Sequence, residues 1–265
     1  MKNILITGSS SGLGKSLFFQ LKKKFPKSNF YLISRNPQFK FSEVNNNNSK
    51  LVFYKCDLSN INSCIKIIKN FGSINFDLIV NNAGRIYSSK NFQKNLNLNA
   101  FSQFYLSYNF IKKKRKIKII NINSFYHTFY RFNEINLKNF LKKKSLFSLK
   151  AYSLSKLFSL VLFKYLENKF SNKCIIFNIN PGIVRSNFQE DTIWIKKLFS
   201  KLLRIFVGNA PNNISKEIIK IIYKNPKTTR SKYLYNKFNK GNKLVDDKQF
   251  QNKIFNIVID IYGKN

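Results

Sequence analysis

The chain of 265 residues is long enough for one large domain with a sizeable buried core. Lys and Arg together outnumber Asp and Glu by 48 to 11, which gives a formal net charge of +37, but the lysines are dispersed along the whole chain. Dispersed charge bears on solubility and association, so we favour composition bias over polyanion binding, and no apolar run reaches the length of a membrane-spanning helix.

The first predicted element is a strand followed by a glycine-rich turn and a helix. Residues 4–6 form a short apolar run, and a helical pattern covers residues 15–24. A helix that starts after such a turn presents unpaired backbone N–H groups where a phosphate can bind. Gly8 would allow the sharp turn, Gly12 the close approach of a pyrophosphate and Gly14 tight packing of helix on strand. The spacing is not G-x-G-x-x-G, so an ordinary turn remains the alternative for this segment alone.

Apolar runs and helical patterns alternate along the rest of the chain, which is typical of βαβ units. Further strands are predicted at 30–33, 51–54, 78–80, 117–122, 174–179 and 232–235. Helices are predicted at 61–68, 92–113, 152–170, 193–207, 214–223 and 247–262, with a low-complexity loop at 45–48 and an irregular insert at 125–150. The fold class is therefore α/β, a doubly wound, mostly parallel seven-stranded sheet with helices on both faces, without a visible domain boundary.

The cysteines and the histidine are too few and too scattered for a metal site. Cys56, Cys64 and Cys174 have no metal-ligand spacing, and His127 is the single histidine, so we expect free buried thiols and no zinc. The first predicted strand follows Lys2 almost directly, which leaves no room for a signal peptide. We therefore expect a cytoplasmic protein.

Several short motifs fall at the C-terminal ends of successive predicted strands, where a doubly wound sheet binds its ligand. They are residues 7–14 (TGSSSGLG), Asp57-Leu58, Asn81-Asn82-Ala83-Gly84, Asn99, Ser124, residues 152–156 (YSLSK) and residues 181–186 (PGIVRS). In order and placement they resemble the short-chain dehydrogenase/reductase family over residues 1–235. The resemblance implies one NAD(P)-binding Rossmann-type domain over residues 1–265. It also implies an oxidoreductase that interconverts a carbonyl and an alcohol.

Tyr152 and Lys156 lie four residues apart on one predicted helix, hence on the same face. A phenol is a poor acid at neutral pH unless its anion is stabilised, and a neighbouring ammonium does that. The resemblance implies that Tyr152 gives a proton to the carbonyl oxygen as hydride arrives. Lys156 would lower the pKa of Tyr152 and hold the ribose hydroxyls. The alternative is an ordinary aromatic residue and a lysine on an exposed helix face.

Two further polar residues complete the catalytic set that the resemblance implies. Ser124 would hydrogen-bond the substrate oxygen, although the family often has two serines in succession and this chain has Asn123 first. Asn99 would hold a water in the proton relay, with Asn97 as the alternative. His127 follows Ser124 closely enough to touch a substrate, but a loop histidine is the simpler interpretation.

The end of the second predicted strand bears on the choice of cofactor. An acidic residue there would hold the adenosine ribose hydroxyls and favour NAD. This chain has neutral Ser34 and then Arg35, whose fork suits a 2′-phosphate, with Lys15 adding charge. We therefore expect NADP(H), with NAD(H) as the alternative. The other cofactor-binding residues implied by the resemblance are Gly8, Ser10, Ser11, Gly12, Leu13, Gly14, Asp57 and Leu58 at the adenine, Asn81, Asn82, Ala83, Gly84, and Pro181, Gly182, Ile183 and Ser186 at the nicotinamide.

The wide separation of Ser124 and Tyr152 and the motif at 180–187 are similar to the retinol-dehydrogenase and protochlorophyllide-reductase-like branch. That branch acts on bulky apolar substrates, so we expect the substrate to be a small molecule with an apolar body and a carbonyl or alcohol group. The amphipathic segment 193–207 falls where the family has its substrate lid, expected around 187–213, and its basic face also allows peripheral contact with anionic lipid. A homo-oligomer is compatible with this interpretation.

Two other functions are weighed against this one. The glycine spacing and the short C-terminal part disfavour a nucleotide-sugar epimerase or dehydratase. The complete set of Asn99, Ser124, Tyr152 and Lys156 argues against a non-catalytic cofactor sensor or a polyanion-binding relative. We do not expect nucleic acid as a partner.

Overall fold

The structure is a computed structural model, and it describes residues 1–36, 49–113, 116–129, 137–184, 209–223, 231–233 and 242–263. All structural statements below concern these ranges. Ser186 and most of the predicted lid lie outside the described residues, as do the low-complexity loop and the predicted helix at 193–207.

A seven-stranded sheet forms the centre of the molecule, in the order β3-β2-β1-β4-β5-β6-β7. Its strands are β1 Asn3–Thr7, β2 Asn29–Ser34, β3 Leu51–Lys55, β4 Leu78–Asn81, β5 Ile117–Ile122, β6 Cys174–Asn180 and β7 Ser231–Tyr233. Every strand pair is parallel, so the predicted doubly wound sheet is confirmed. The winding reverses between β1 and β4, and a crevice opens there at the carboxyl ends of the strands.

Helices cover both faces of the sheet. They are α1 Gly12–Lys24, α2 Ile61–Asn70, α3 Phe92–Leu96, α4 Ser102–Lys113, α5 Leu137–Leu141, α6 Ser148–Lys169, α7 Pro211–Tyr223 and α8 Lys248–Gly263. Short 3-10 turns span Ser89–Asn91, Phe125–Thr128 and Lys243–Val245. No helix in these described ranges is long and apolar enough to cross a membrane.

The alternation of side chains along β1 explains the two separate cores. Leu5 packs into the core under α2, α4, α6 and α8, whereas Ile4 and Ile6 pack into the core under α1 and α7. Because both faces of a parallel sheet are buried, the strand is apolar at every central position. This is why a short uninterrupted apolar run, without polar alternation, marks the strand in the sequence.

Two helices differ from their predictions. The helix expected over 92–113 contains a π-helical turn at Asn97–Phe101, where the Ser102 N–H reaches the Asn97 carbonyl instead of the carbonyl of Leu98. The helix expected from Tyr152 begins earlier, at Ser148, because the Ala151 N–H donates to the Phe147 carbonyl at 2.8 Å. The predicted irregular insert accordingly contains a 3-10 turn, α5 and the first turn of α6.

Candidate active site

The glycine turn after β1 has a backbone that requires glycine. Gly8 and Gly12 have φ values of +66° and +52°, in the left-handed region that side chains disfavour. A Cβ on Gly14 would lie 2.1 Å from the Gly8 carbonyl oxygen, and a Cβ on Gly8 would lie 2.8 Å from the Cα of Ala83. The glycines therefore let α1 pack directly on the turn, and the turn pack on the loop after β4.

A buried hydrogen-bond network joins the ends of β1 and β4. Thr7 Oγ1 accepts from the backbone N–H groups of Asn82 and Ala83, both at 3.0 Å. The side-chain amide of Asn82 donates to the carbonyls of Thr7 and Gly8 at 3.1 and 3.0 Å. Asn81, in contrast, is buried below the crevice, where its amide donates to Ser107 Oγ at 2.8 Å. Asn82 thus shapes the crevice wall, while Asn81 supports β4 from beneath.

A cleft of about 470 Å³ opens along the carboxyl edge of the sheet in the part of the chain that the structure describes. It brings together most of the residues predicted from the sequence. Its lining includes Gly8, Ser10, Ser11, Gly12, Leu13, Arg35, Leu58, Asn82, Ala83, Gly84, Ser124, Tyr152, Lys156, Pro181, Gly182 and Ile183. Four predicted residues do not line it: Gly14, Asp57, Asn81 and Asn99.

Ser124, Tyr152 and Lys156 meet at one end of this cleft. Tyr152 and Lys156 project from the same face of α6 and are only 4% and 3% exposed. The Lys156 Nζ donates to the Ile122 carbonyl at 2.9 Å and lies 5.8 Å from the centroid of the Tyr152 ring. The phenol of Tyr152 is hydrogen-bonded to the side chain of Ser124. A hydroxyl, a phenol and an amine therefore converge at the end of β5.

Burial controls the ionisation of this cluster. Burial raises the pKa of Tyr152, and the hydrogen bond with Ser124 only partly opposes this increase. Burial also lowers the pKa of Lys156 to about 7. Desolvation disfavours the charged form of each group, and it therefore opposes the lowering of the Tyr152 pKa that we predict for Lys156. Tyr152 is a neutral phenol at neutral pH, with its proton available for donation.

The π-helical turn separates the two candidate asparagines. The Asn99 amide is buried and pairs with the Arg85 backbone, accepting from its N–H at 3.1 Å and donating to its carbonyl at 3.0 Å. The Asn97 amide points instead to the segment after β3, donating to the Ser59 carbonyl at 3.1 Å. Asn99 therefore fixes the backbone of the cleft wall directly after Gly84.

The two ends of the cleft differ in character. At the β2 end, Ser34 and Arg35 line the wall, whereas the Asp57 carboxylate turns away and accepts from the N–H and hydroxyl of Ser59 at 2.9 and 2.8 Å. At the β6 end, Gly182 has a φ of +72° and donates its N–H to Asn180 Oδ1 at 3.1 Å. Asp57 thus shapes the turn after β3, while Arg35 contributes charge to the cleft.

A model of the family described as short chain dehydrogenase matches residues 2–193. The chain belongs to this family. Family membership makes this short-chain dehydrogenase an NAD(P)-dependent oxidoreductase. No curated protein matches the chain.

Solved structures of other short-chain dehydrogenases share its fold. 4-Hydroxyisoleucine dehydrogenase complexed with NADH matches with a TM-score of 0.69 at 20% identity, over 91% of this chain and 100% of that chain. The short-chain dehydrogenase from Sphingobium yanoikuyae in complex with NADPH gives 0.66 at 15% identity, over 88% and 87%. The NADPH-dependent 3-quinuclidinone reductase from Rhodotorula rubra gives 0.65 at 15% identity, over 88% and 89%.

The glycine turn of this short-chain dehydrogenase fits a dinucleotide. The Ser11 side chain does not cap the first turn of α1, and that turn contains no acidic residue. No Ser11 cap therefore competes for its first backbone N–H groups, which can donate to a phosphate, and Gly12 leaves room for a close approach. The residues present fit the nicotinamide cofactor that the family uses.

The cleft also has an aromatic wall, which the motifs do not predict. Phe125 and Tyr126 follow Ser124 directly and line the cleft, and the ring of Tyr126 lies edge-on to that of Tyr152 at 5.7 Å. Phe129 packs against the rings of Phe125 and Tyr126, and it is 68% exposed. The signal was the aromatic run after Ser124, which we had assigned only to an irregular insert.

His127, in the same turn, does not line the cleft. Its Nδ1 lies 2.6 Å from the Ser124 carbonyl oxygen, and the residue is buried. Burial lowers the pKa of His127, so the ring is neutral at neutral pH and Nδ1 donates to that carbonyl. His127 therefore holds the backbone that carries Ser124.

Proposed function

We propose that the protein is an NADP(H)-dependent oxidoreductase that interconverts a carbonyl and an alcohol on a hydrophobic small molecule. The convergence of Ser124, Tyr152 and Lys156 in the cleft that contains the glycine turn supports this most directly. When bound, the reduced cofactor supplies a hydride to the carbonyl carbon. The protein must then supply one proton to the carbonyl oxygen, which completes the alcohol.

Tyr152 is the proton donor in the reduction. Its hydroxyl carries a proton at neutral pH and is hydrogen-bonded to Ser124. A substrate oxygen that replaces this mutual hydrogen bond would accept from both hydroxyls. Lys156 has a pKa of about 7, and it can therefore both stabilise the phenolate and pass a proton toward it. Asn99 keeps the neighbouring wall in place through the Arg85 backbone. In the oxidation each proton moves in the opposite direction.

The carboxyl edge of the sheet would hold the cofactor in this proposal. Gly12, at the N-terminus of α1, would accommodate its pyrophosphate, and Lys156 would also hold the ribose beside the nicotinamide. Arg35 lines the β2 end of the cleft, which supports a 2′-phosphate and hence NADP(H). Asp57 holds Ser59 through Oδ1, and its other carboxylate oxygen would accept from the adenine edge.

The aromatic wall supports an apolar substrate. Tyr126 lies against Tyr152 and Phe125 packs on Tyr126, so the two rings give the cleft a flat, mostly apolar wall near the reacting oxygen. This agrees with the retinol-dehydrogenase and protochlorophyllide-reductase-like branch, in which the substrates are bulky and apolar. In this proposal the protein is a single domain in the cytoplasm. A homo-oligomer, or peripheral contact with a membrane, would be compatible with this activity.

The test is a panel of aldehydes and ketones with graded apolar bulk, followed by the loss of NADPH absorbance. The wild type is expected to reduce at least one of them, and Tyr152→Phe to lose about 10²-fold or more of kcat. Tyr165→Phe is the matched control, because Tyr165 lies on the same helix but stacks on Phe255, outside the cleft. Turnover by Tyr152→Phe at the wild-type rate would refute the catalytic assignment.

A further inference from the structure

A buried hydrogen-bond chain runs from the end of the C-terminal helix to the wall of the cleft. The Tyr262 hydroxyl lies 2.6 Å from Ser102 Oγ, and Ser102 Oγ donates to the Leu58 carbonyl at 2.6 Å. A serine hydroxyl has one proton, and here that proton goes to Leu58. Tyr262 must therefore be the donor to Ser102, which fixes the direction of the whole chain.

The chain of hydrogen bonds ends at the segment that follows β3. The side chain of Leu58 lines the cleft at its β2 end, close in sequence to Cys56, which also lines it. Two further hydrogen bonds hold the same segment at Ser59. The Asn97 amide donates to the Ser59 carbonyl, and the Ser59 N–H donates to the Asp57 carboxylate. Tyr262 is thus one of several buried groups that support a single piece of cleft wall, and it comes from the opposite end of the sequence.

Burial strengthens this connection. Tyr262 is 1% exposed and Ser102 is fully buried, so neither hydroxyl can exchange its partner for water. Burial raises the pKa of Tyr262 well above its ordinary value, which keeps the phenol neutral and able to donate. Its ring packs against Tyr105 at 4.7 Å, which fixes the position of the hydroxyl. Consecutive hydrogen bonds in a buried network reinforce each other.

Tyr262, the first donor in this series of hydrogen bonds, lies outside the residues that the family model matches. The family model matches residues 2–193, whereas α8 spans Lys248–Gly263. This support of the cleft wall is therefore supplied by the chain's own C-terminal helix.

We propose that Tyr262 is a positioning residue for the end of the cleft that binds the adenine half of the cofactor, an inference that rests on the proposed function. Its hydroxyl holds Ser102, and Ser102 in turn holds the Leu58 backbone. These contacts keep Leu58 in the position in the cleft wall that adenosine binding requires. Without that hydroxyl the buried Ser102 oxygen loses its donor, and the segment around Leu58 shifts or loosens. The adenine half loses affinity, and the nicotinamide half does not.

The experiment compares Tyr262→Phe with Tyr165→Phe by titration calorimetry. Tyr165 of α6 stacks on Phe255 of α8 at 4.3 Å, so its ring packs against the helix that carries Tyr262, and its variant loses a phenolic hydroxyl without breaking the hydrogen bonds to Leu58. The probes are NADPH, 2′,5′-ADP as the adenine half and reduced nicotinamide mononucleotide as the other half. For Tyr262→Phe we expect roughly five- to tenfold weaker binding of NADPH and of 2′,5′-ADP, with the mononucleotide unchanged. Tyr165→Phe should bind all three as the wild type does.

Ser102→Ala breaks the same chain at its middle and serves if Tyr262→Phe does not fold. The double variant should lose no more affinity for 2′,5′-ADP than either single variant, because both act through one path. Wild-type affinity in Tyr262→Phe, or equal weakening of all three probes, overturns the inference and leaves the proposed function intact. A wild-type protein that binds neither NADPH nor NADH overturns the proposed function, and this inference with it.

Discussion

Lys156 is a buried amine, and its burial links protein stability to pH. Its pKa falls from 10.5 to about 7 in the folded protein, so between these values the unfolded chain binds a proton that the folded protein lacks. This one group therefore makes the unfolding free energy rise with pH across that window. Below pH about 7, the loss of unfolding free energy caused by the burial of Lys156 reaches its full size.

Lys156→Met removes this penalty. The variant should be more stable than the wild type at about pH 7, and the difference should shrink toward about pH 10. Urea unfolding at several pH values measures both curves. Lys150→Met is the control, because Lys150 is exposed on the same helix, and its curve should parallel that of the wild type. Parallel curves for Lys156→Met would contradict the burial argument.

Arg35 is the residue that should distinguish NADPH from NADH. If its guanidinium meets a 2′-phosphate, NADPH should raise the melting temperature of the wild type more than NADH does at equal concentration. Arg35→Ala should remove most of that difference and keep the shift with NADH. Lys66→Ala, an exposed cation on α2, should leave both shifts unchanged. Equal shifts in the wild type would reject the preference for NADP(H).

The contact of α1 with the glycine turn belongs to the scale of elements. Gly14→Ala places a methyl group 2.1 Å from the Gly8 carbonyl, a backbone atom that cannot move aside without displacing the turn. We expect a loss of roughly 3 kcal/mol of unfolding free energy, by the cost of overpacking a tight core site. Gly263→Ala, where an added methyl group meets nothing within 4 Å, should be close to neutral in the same denaturation experiment. Equal effects would show that the contact of helix and turn is looser than described.

The elements differ in how far the sequence could predict them. The apolar run of β1 and the glycines after it are local signals, because the physics that needs them acts over a few residues. The π-helical turn at Asn97–Phe101 gives no such local signal, and it contains the Asn99 amide that pairs with the Arg85 backbone. Its outcome, an asparagine devoted to the cleft wall, could not be predicted from helical periodicity.

The structure adds hydrogen bonds that the motifs do not reveal. The carboxylate of Asp57, which we predict at the adenine, also caps its own turn through Ser59. The support of Leu58 by Tyr262 joins residues from distant parts of the chain. Tyr152 and Lys156 were recognisable because their spacing alone puts them on one helix face.

The charge of the whole molecule should weaken its stability at low ionic strength. The formal net charge is +37, and like charges repel more strongly in the compact state than in the unfolded chain. Raising sodium chloride from about 20 mM to about 300 mM shortens the screening length, so the melting temperature should rise by several degrees. An uncharged osmolyte at the same osmolality is the control and should give a smaller rise. A melting temperature that falls with salt would show that attractive surface pairs dominate.

The two cores are completed by segments beyond the family match. Ile214, Ile218 and Ile222 of α7 pack under the sheet with Ile4, and α8 closes the other core. If the polypeptide ended at residue 193, through truncation or proteolysis, the sheet would keep its first strands, but apolar side chains on both of its faces would be exposed to water. Such a fragment would contain every catalytic side chain named above, yet it should precipitate or be degraded instead of turning over substrate.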